Sequence, residues 1–334
     1  MLNNFYTIFL SIILEGLPFI ILGSFIASLI QVFVTEETVA KLIPKNKFLG
    51  LIMSVSIGFI FPVCECAIVP IVRRLIKKGM PLNMAITFML SVPIVNPVVL
   101  LSTYYAFSGQ TNMVFLRAAC GMVGAMLIGY LVSILHEGEV LKSSSIREEH
   151  CHCNGHSHHH DNHEHHDSHE HHDSHEHHES GHCSCGHDHN HNHERKGVIL
   201  KVIEHTSIEV YDVGKLYIIG ALISSAMQSF IPKAHIIAIG KGNLSSILVM
   251  FALAFTLSIC SETDAFIART FVGQFTTGSI LGFLILGPMI DIKNTVMLCG
   301  SFKLSFVLKL IFVIFAICFI TAVMVNALPL AAII

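Results

Sequence analysis

Phe61-Pro62-Val63-Cys64-Glu65-Cys66 interrupts an apolar segment that runs from residue 48 to residue 72. A proline breaks the helix there, and two thiols with a carboxylate between them follow at once. An acidic side chain costs about 2.5 kcal/mol or more at the centre of a bilayer. Irregular backbone at that depth persists only against protein or a water-filled cavity. The stretch therefore reads as a binding site inside a membrane protein. The plainer alternative is a helix end at the interface, with Glu65 in water and the thiols acting as small hydrophobes.

The surrounding chain supports the membrane reading. It has 334 residues, 53% of them hydrophobic, and a mean hydropathy of +0.67. That mean is positive although a long polar tract lies within the chain, so the remainder is more apolar still. Runs near the ~20 residues needed to cross a bilayer cover most positions outside 136–208. The expected fold is an all-α polytopic membrane protein with about eight hydrophobic segments. Met1 to Tyr6 carry no basic stretch and no small-residue cleavage site follows, so the first span is expected to stay in the membrane. The net charge of -3 is too small to define a partner. The ten cysteines lie mostly in apolar segments or in Cys-x-Cys pairs beside histidines. That placement fits thiols kept reduced or bound to soft metals, and not a disulfide framework.

The two halves of the chain echo each other. At a shift of 197 residues, Leu22-Gly23-Ser24-Phe25-Ile26-Ala27-Ser28 falls on Ile219-Gly220-Ala221-Leu222-Ile223-Ser224-Ser225, and Glu15 falls on Asp212. Near 196, Cys64 falls on Cys260; at 195, Pro93-Ile94-Val95-Asn96 falls on Pro288-Met289-Ile290-Asp291. The order of the polar matches carries the expectation of an internal duplication. The second counterpart of the opening stretch is Ser258-Ile259-Cys260-Ser261-Glu262-Thr263-Asp264, again a thiol and carboxylates in an apolar setting. Paired breaks at corresponding places in two repeats point to a substrate site. Cys64, Glu65, Cys66, Cys260, Glu262 and Asp264 are its first candidates. Asn96 and Asp291, between helix-breaking groups in equivalent places, are the next; a simple kink is the alternative there. Glu15 and Asp212 either line the path or sit near an interface.

Basic loops face the cytoplasm. Lys41, Lys45 and Lys47 precede the opening segment, and Arg73, Arg74, Lys77 and Lys78 follow it. If the chain re-enters at Cys64-Glu65-Cys66, and likewise at Cys260-Ser261-Glu262-Thr263-Asp264, both clusters are cytoplasmic. Three crossings then remain per half and the repeats are inverted. The rival arrangement is eight full spans with parallel repeats.

Residues 1–135 are thus read as the first transmembrane repeat, 136–208 as a disordered cytoplasmic loop and 209–334 as the second repeat. Residues 150–193 hold 20 histidines. Cys151-His152-Cys153 opens this tract and Cys183-Ser184-Cys185 closes it. Its core repeats a six-residue unit that includes His165, His166 and His169, then His171, His172 and His175. Imidazole and thiolate suit Zn, Cu, Ni or Co ions, and nothing apolar is present to build a core. No tightly bound cofactor is expected. The plain alternative is a low-complexity expansion with incidental metal affinity. Cys120, Cys299 and Cys318 read as packing residues, as do Gly121, Gly124 and Gly129. There is no Gly-x-x-x-x-Gly-Lys-Ser/Thr loop, and His163-Glu164-His165-His166 lacks metalloprotease spacing. Neither an enzyme nor a nucleotide- or nucleic-acid-binding protein is expected.

Taken together, Phe-Pro-Val-Cys-Glu-Cys at 61–66, Arg73-Arg74-Leu75-Ile76-Lys77-Lys78-Gly79, Pro93-Ile94-Val95-Asn96-Pro97 and Cys260-Ser261-Glu262-Thr263-Asp264-Ala265-Phe266 resemble the predicted bacterial permeases related to the organoarsenical exporters. The resemblance covers both halves and leaves out the His-rich tract. It implies a multi-pass permease of the bacterial inner membrane. Some members of that family are linked to efflux of trivalent arsenicals. Members with a His-rich loop are described as copper or zinc exporters. Some relatives carry Cys-Ser-Cys where this chain has Cys64-Glu65-Cys66, and the added carboxylate favours a cation. The expected function is export of a soft or borderline metal ion such as Zn or Cu. The alternatives are a trivalent arsenical or other small thiophilic solute, and a membrane metal sensor or scaffold without transport. The lipid bilayer and a small ion or metalloid are the expected partners.

Overall fold

The computed structural model describes residues 2–44, 46–60, 63–108, 110–135, 138, 140–142, 193–230 and 242–327. In chain order the helices are α1 (Leu2–Phe33), α2 (Glu36–Leu42), α3 (Lys47–Ile60), α4 (Glu65–Lys77), α5 (Leu82–Val95), α6 (Pro97–Ala106), α7 (Thr111–Leu135), α8 (His193–Phe230), α9 (Asn243–Leu257), α10 (Asp264–Arg269), α11 (Thr277–Met289), α12 (Ile292–Ser301) and α13 (Leu304–Ala327). Among the described residues, β structure is limited to two isolated bridges, Leu141 with Phe302 and Val272 with Phe275.

Among the described residues, six stretches are long and apolar enough to cross a membrane: Phe5–Phe33, Leu82–Ala106, Thr111–Leu135, Leu200–Ser229, Thr277–Ser301 and Leu304–Ala327. Lys47–Ile60 and Asn243–Leu257 are shorter apolar helices. The chain is therefore an all-α polytopic membrane protein. At 1.5 Å per residue, α3 and α9 reach only ~20 Å, short of the ~30 Å hydrocarbon layer.

Two spans are broken mid-way. Val95 ends α5 because Asn96-Pro97 cannot continue it; Pro97 takes the first position of α6, and the Asn96 side chain caps that helix by accepting from Val98 N at 3.0 Å. Pro-containing α11 ends at Met289, and Asp291 caps α12 by accepting from Asn294 N at 2.6 Å. Both prolines mark real interruptions, and both polar residues at the breaks serve as caps.

Side-chain contacts fix the direction of each short helix. A Cβ on Gly50 of α3 would touch Met84 of α5, and one on Gly58 would touch Ser91 and Val92. α3 and α5 are therefore parallel, with both N-termini at one end. α4 runs back to that end before the chain turns at Gly79, whose φ of 91° suits glycine. The chain thus enters along α3, turns at the Cys-Glu-Cys stretch and returns along α4. The second half does likewise. Ser246 of α9 donates to Ser279 at 2.8 Å, and Gly287 of α11 faces Ala254. α9 and α11 are parallel, and the chain turns at Ser258, which adopts a left-handed φ of 46°.

The long helices pair across the halves in opposite directions. Gly124 of α7 faces Ile317 of α13, while Lys309 donates to the Leu135 carbonyl at 3.4 Å, so α7 and α13 are antiparallel. Gly23 of α1 packs on Ala67 of α4, and Ile30 shares a cavity with Ile71 and Leu75 further along it. On α8, Glu209 pairs with Arg74 at 2.5 Å, and Tyr217 donates to the Ile12 carbonyl at 2.6 Å. α8 therefore runs against α1. α4 packs on α12, α6 on α10 and α5 on α11, which brings the two helix breaks to the centre.

The loop boundary differs from the sequence reading. Residues 193–208 are helical, not part of a loop ending at 208, because Val202 is buried and the helix continues unbroken to Glu209 and its Arg74 partner. At the other side, Lys142 N donates to Ser301 O at 3.1 Å and Lys303 N to Val140 O at 2.9 Å, which pins residues 140–142 to the α12–α13 junction. Cys151, His152, Cys153, His165, His166, His169, His171, His172, His175, Cys183 and Cys185 lie outside the described residues, as do Phe61 and Pro62.

Candidate functional site

Cys64 is the N-cap of α4, with extended backbone, and Glu65 is the first residue of that helix. The exposed amides of a first turn and the helix dipole favour a carboxylate there. Cys64, Glu65 and Cys66 are all buried, and the two thiols lie within electrostatic reach of each other. Gly23 permits this seat: a Cβ on it would come within 2.7 Å of the Ala67 backbone.

The second motif is built as a turn. Thr263 N and Asp264 N both donate to the Cys260 carbonyl, at 3.0 and 3.1 Å, and α10 starts at Asp264. Cys260, Ser261 and Asp264 are buried. Ser261 Oγ donates to Glu65 Oε2 at 3.1 Å and so joins the two motifs directly, although 196 residues separate them. Cys260 lies within electrostatic reach of Glu65 and Cys66. The Glu262 side chain is partly exposed, and its carbonyl accepts a short hydrogen bond from Ser102 of α6.

Each motif has a buried cation of the opposite half in its surroundings. Arg117 of α7 is fully buried and grips Asp264 with two bonds, Nη1 to Oδ1 at 2.9 Å and Nη2 to Oδ2 at 2.6 Å. Thr103 Oγ1 accepts from Nη1 at 2.8 Å. Lys293 of α12 is also buried and lies 3.7 Å from Asp291 Oδ2, within electrostatic reach of Glu65, Cys66 and Tyr217. A Cβ on Gly220 of α8 would lie 3.0 Å from the Lys293 Cα, so glycine there lets α12 sit close.

The other sequence candidates separate clearly. Glu15 is half-buried on α1, within electrostatic reach of Lys293 and Glu65. Its counterpart Asp212 turns away and pairs with Lys215 at 2.5 Å. Asn96 spends its amide oxygen on capping α6. Cys318 is buried against the Met289 sulfur at 3.8 Å, whereas Cys120 and Cys299 are half-buried elsewhere. Among the described residues, no three His, Cys, Asp or Glu side chains converge closely enough to hold a metal ion. Arg117 and Lys293 escaped the sequence reading. Their signal was present, since Arg117 is the one charged residue between 111 and 135, and a charge within a span marks function or a buried partner.

Broken helices meeting in the interior of a helical membrane protein, with thiols and carboxylates at the junction, define the class of a multi-pass membrane transport protein. The chain belongs to the family described as "Predicted permease", which it matches over residues 1–327. It is 39% identical over 306 residues to the UPF0718 protein YcgR of Bacillus subtilis, covering 91% of each chain. It is 35% identical over 321 residues to a protein of Streptococcus mutans named "Putative two-component membrane permease complex subunit", covering 95% of this chain and 94% of that one. No solved structure matches. These relationships place the chain in a bacterial cell membrane as a multi-pass permease.

Proposed function

We propose that this permease exports a soft or borderline metal ion, that its halves are inverted repeats, and that the ion binds where the two helix breaks meet. The Glu65–Ser261 contact, flanked by the Cys64, Cys66 and Cys260 thiols, carries this reading. The antiparallel pairing of α1 with α8 and of α7 with α13 supports the inverted arrangement. The side chains are not yet placed as a metal cluster, so loading requires them to close around the ion. Charge supports a divalent ion: two thiolates and Glu65 against the ion and Lys293 leave no net charge. Thiols ligate only as thiolates, so binding releases protons and weakens at low pH.

The His-rich tract would collect Zn, Cu, Ni or Co ions near the cytoplasmic entrance. Removing residues 150–193 is expected to leave flux intact and to reduce its response to low metal concentrations. The Streptococcus relative's name adds a second subunit as a proposed partner. One observation favours a different solute. Buried Lys293 lies within electrostatic reach of Glu65, and a neutral trivalent arsenical held by two thiols would need no further charge. A non-transporting sensor or scaffold has no need of two opposed helix breaks.

The test is growth and efflux of a deletion strain across Zn, Cu, Ni, Co, arsenite and methylarsenite, complemented with wild type or Glu65→Gln. A metal reading requires metal sensitivity that wild type corrects and Glu65→Gln does not. Sensitivity to arsenicals alone, corrected equally by both, overturns it in favour of the arsenical.

A further inference from the structure

The two motifs share a plan but not a state. At the second, Asp264 is saturated by the bidentate Arg117 grip. At the first, among the described residues, Glu65 Oε2 has only the Ser261 hydroxyl and the buried Oε1 has no hydrogen-bond partner. Asp291 is similar, with Oδ1 on the Asn294 amide and the buried Oδ2 lacking a hydrogen bond 3.7 Å from Lys293. Buried charges persist when a partner compensates them. The first motif and the α11–α12 break thus hold one under-bonded carboxylate each, and buried Lys293 of α12, a helix that packs on α4, lies 3.7 Å from Asp291 and within electrostatic reach of Glu65. Arg117 has a planar fork locked on one carboxylate, whereas the lysine ammonium is a point charge on a flexible stem.

We propose that Lys293 is a resident counter-cation. Its ammonium balances Glu65 across the repeat interface in the empty carrier and competes for that carboxylate with a cation arriving from solution. The competing part rests on the metal-ion reading above; the resident part does not. In the empty carrier the ammonium lies between Glu65 and Asp291. When a cation takes Glu65, the ammonium withdraws to Asp291, which is on its own helix turn and moves with it. Substrate entry then exchanges one positive charge for another near Glu65, and the lysine's return promotes release. The Arg117–Asp264 pair has no such freedom and serves as the fixed side of the junction.

The experiment uses the purified full-length chain in detergent, with thermal unfolding as the first readout. Lys293→Gln is expected to lower Tm by several degrees, and Lys293→Arg to retain most of it. The deciding variants are Lys293→Gln/Glu65→Gln and Lys293→Gln/Asp291→Asn. Recovery of at least half the lost Tm by Glu65→Gln supports the proposal. Recovery by Asp291→Asn with none by Glu65→Gln overturns it, because Lys293 is then only a local partner of its own helix cap. Additive losses in both doubles also overturn it. The second readout is equilibrium binding of Zn(II) and, separately, Cu(I). Lys293→Gln is expected to bind about tenfold or more tightly than wild type, within the range of ordinary site–site coupling. Unchanged or weaker binding overturns the competition. If no variant binds either ion, the metal reading fails alone, and the Glu65 rescue still decides whether Lys293 is the counter-cation.

Discussion

Asp264→Asn isolates the energetics of the junction. Asp264 and Arg117 have side-chain exposures of 3% and 0% and bond through both nitrogens at 2.9 and 2.6 Å. Asparagine preserves shape and removes the charge, leaving a guanidinium with no counter-ion. Breaking one side of a buried pair costs about 3–5 kcal/mol. Thr103 and the Ser261 carbonyl remain as neutral acceptors, at 2.8 and 3.4 Å, which places the expectation near the lower end, about 3 kcal/mol. The converse change, Arg117→Gln, is expected to cost less. An orphaned carboxyl neutralises itself by taking a proton, and a guanidinium cannot. Removing both charges with Arg117→Met/Asp264→Leu is expected to recover most of the loss, since apolar pairs of similar volume replace buried ion pairs well. Unfolding free energies of the four proteins by steric trapping in bicelles measure these differences. Equal losses below about 1 kcal/mol for both singles, the range of exposed pairs, would refute the buried-pair reasoning.

Other expectations follow from the same geometry. Cys64→Ser and Cys66→Ser are each expected to abolish efflux at normal protein levels, while Cys318→Ser, packed on Met289, leaves it near wild type; comparable mild effects at all three would make them ordinary buried thiols. Gly23→Ala places a Cβ 2.7 Å from the Ala67 Cα; overpacking of this kind costs about 1–3 kcal/mol, and an unchanged melting temperature would mean that α1 does not seat α4. Single cysteines at Asn46 and Gly79, without the other reactive cysteines, are expected to resist an impermeant thiol reagent added outside intact cells. Labelling of one and not the other would remove the re-entrant reading. Ser261→Ala deprives Glu65 of its one hydrogen-bond donor and is expected to destabilise the empty carrier by about 1–3 kcal/mol in the same unfolding assay.

Much of the architecture was legible from composition and order alone. Membrane spans need length and apolarity, and both are local properties of the chain. Helix breaks need proline and unshielded polar groups, so Cys64-Glu65-Cys66, Asn96-Pro97, Cys260-Ser261-Glu262-Thr263-Asp264 and Pro288 to Asp291 announced themselves. The basic clusters on either side of the first break favoured re-entry over eight full spans. The start of α8 was misplaced because charged residues such as Lys201 and Glu204 look like loop when the Glu209–Arg74 pair beyond them is not in view. Tertiary structure alone decided which groups face each other. Periodicity places a side chain on a helix and says nothing about the helix opposite. Ser261 meets Glu65 across 196 residues, Arg117 grips Asp264 of the other half, and Lys293 lies within electrostatic reach of Glu65. Glu15 and Asp212 occupy matched positions in the sequence, yet one faces the junction and the other pairs with Lys215. That difference comes from what each helix packs against: α1 lies along α4 and α8 lies along α12. Which matched residue reaches the site follows from those long-range contacts.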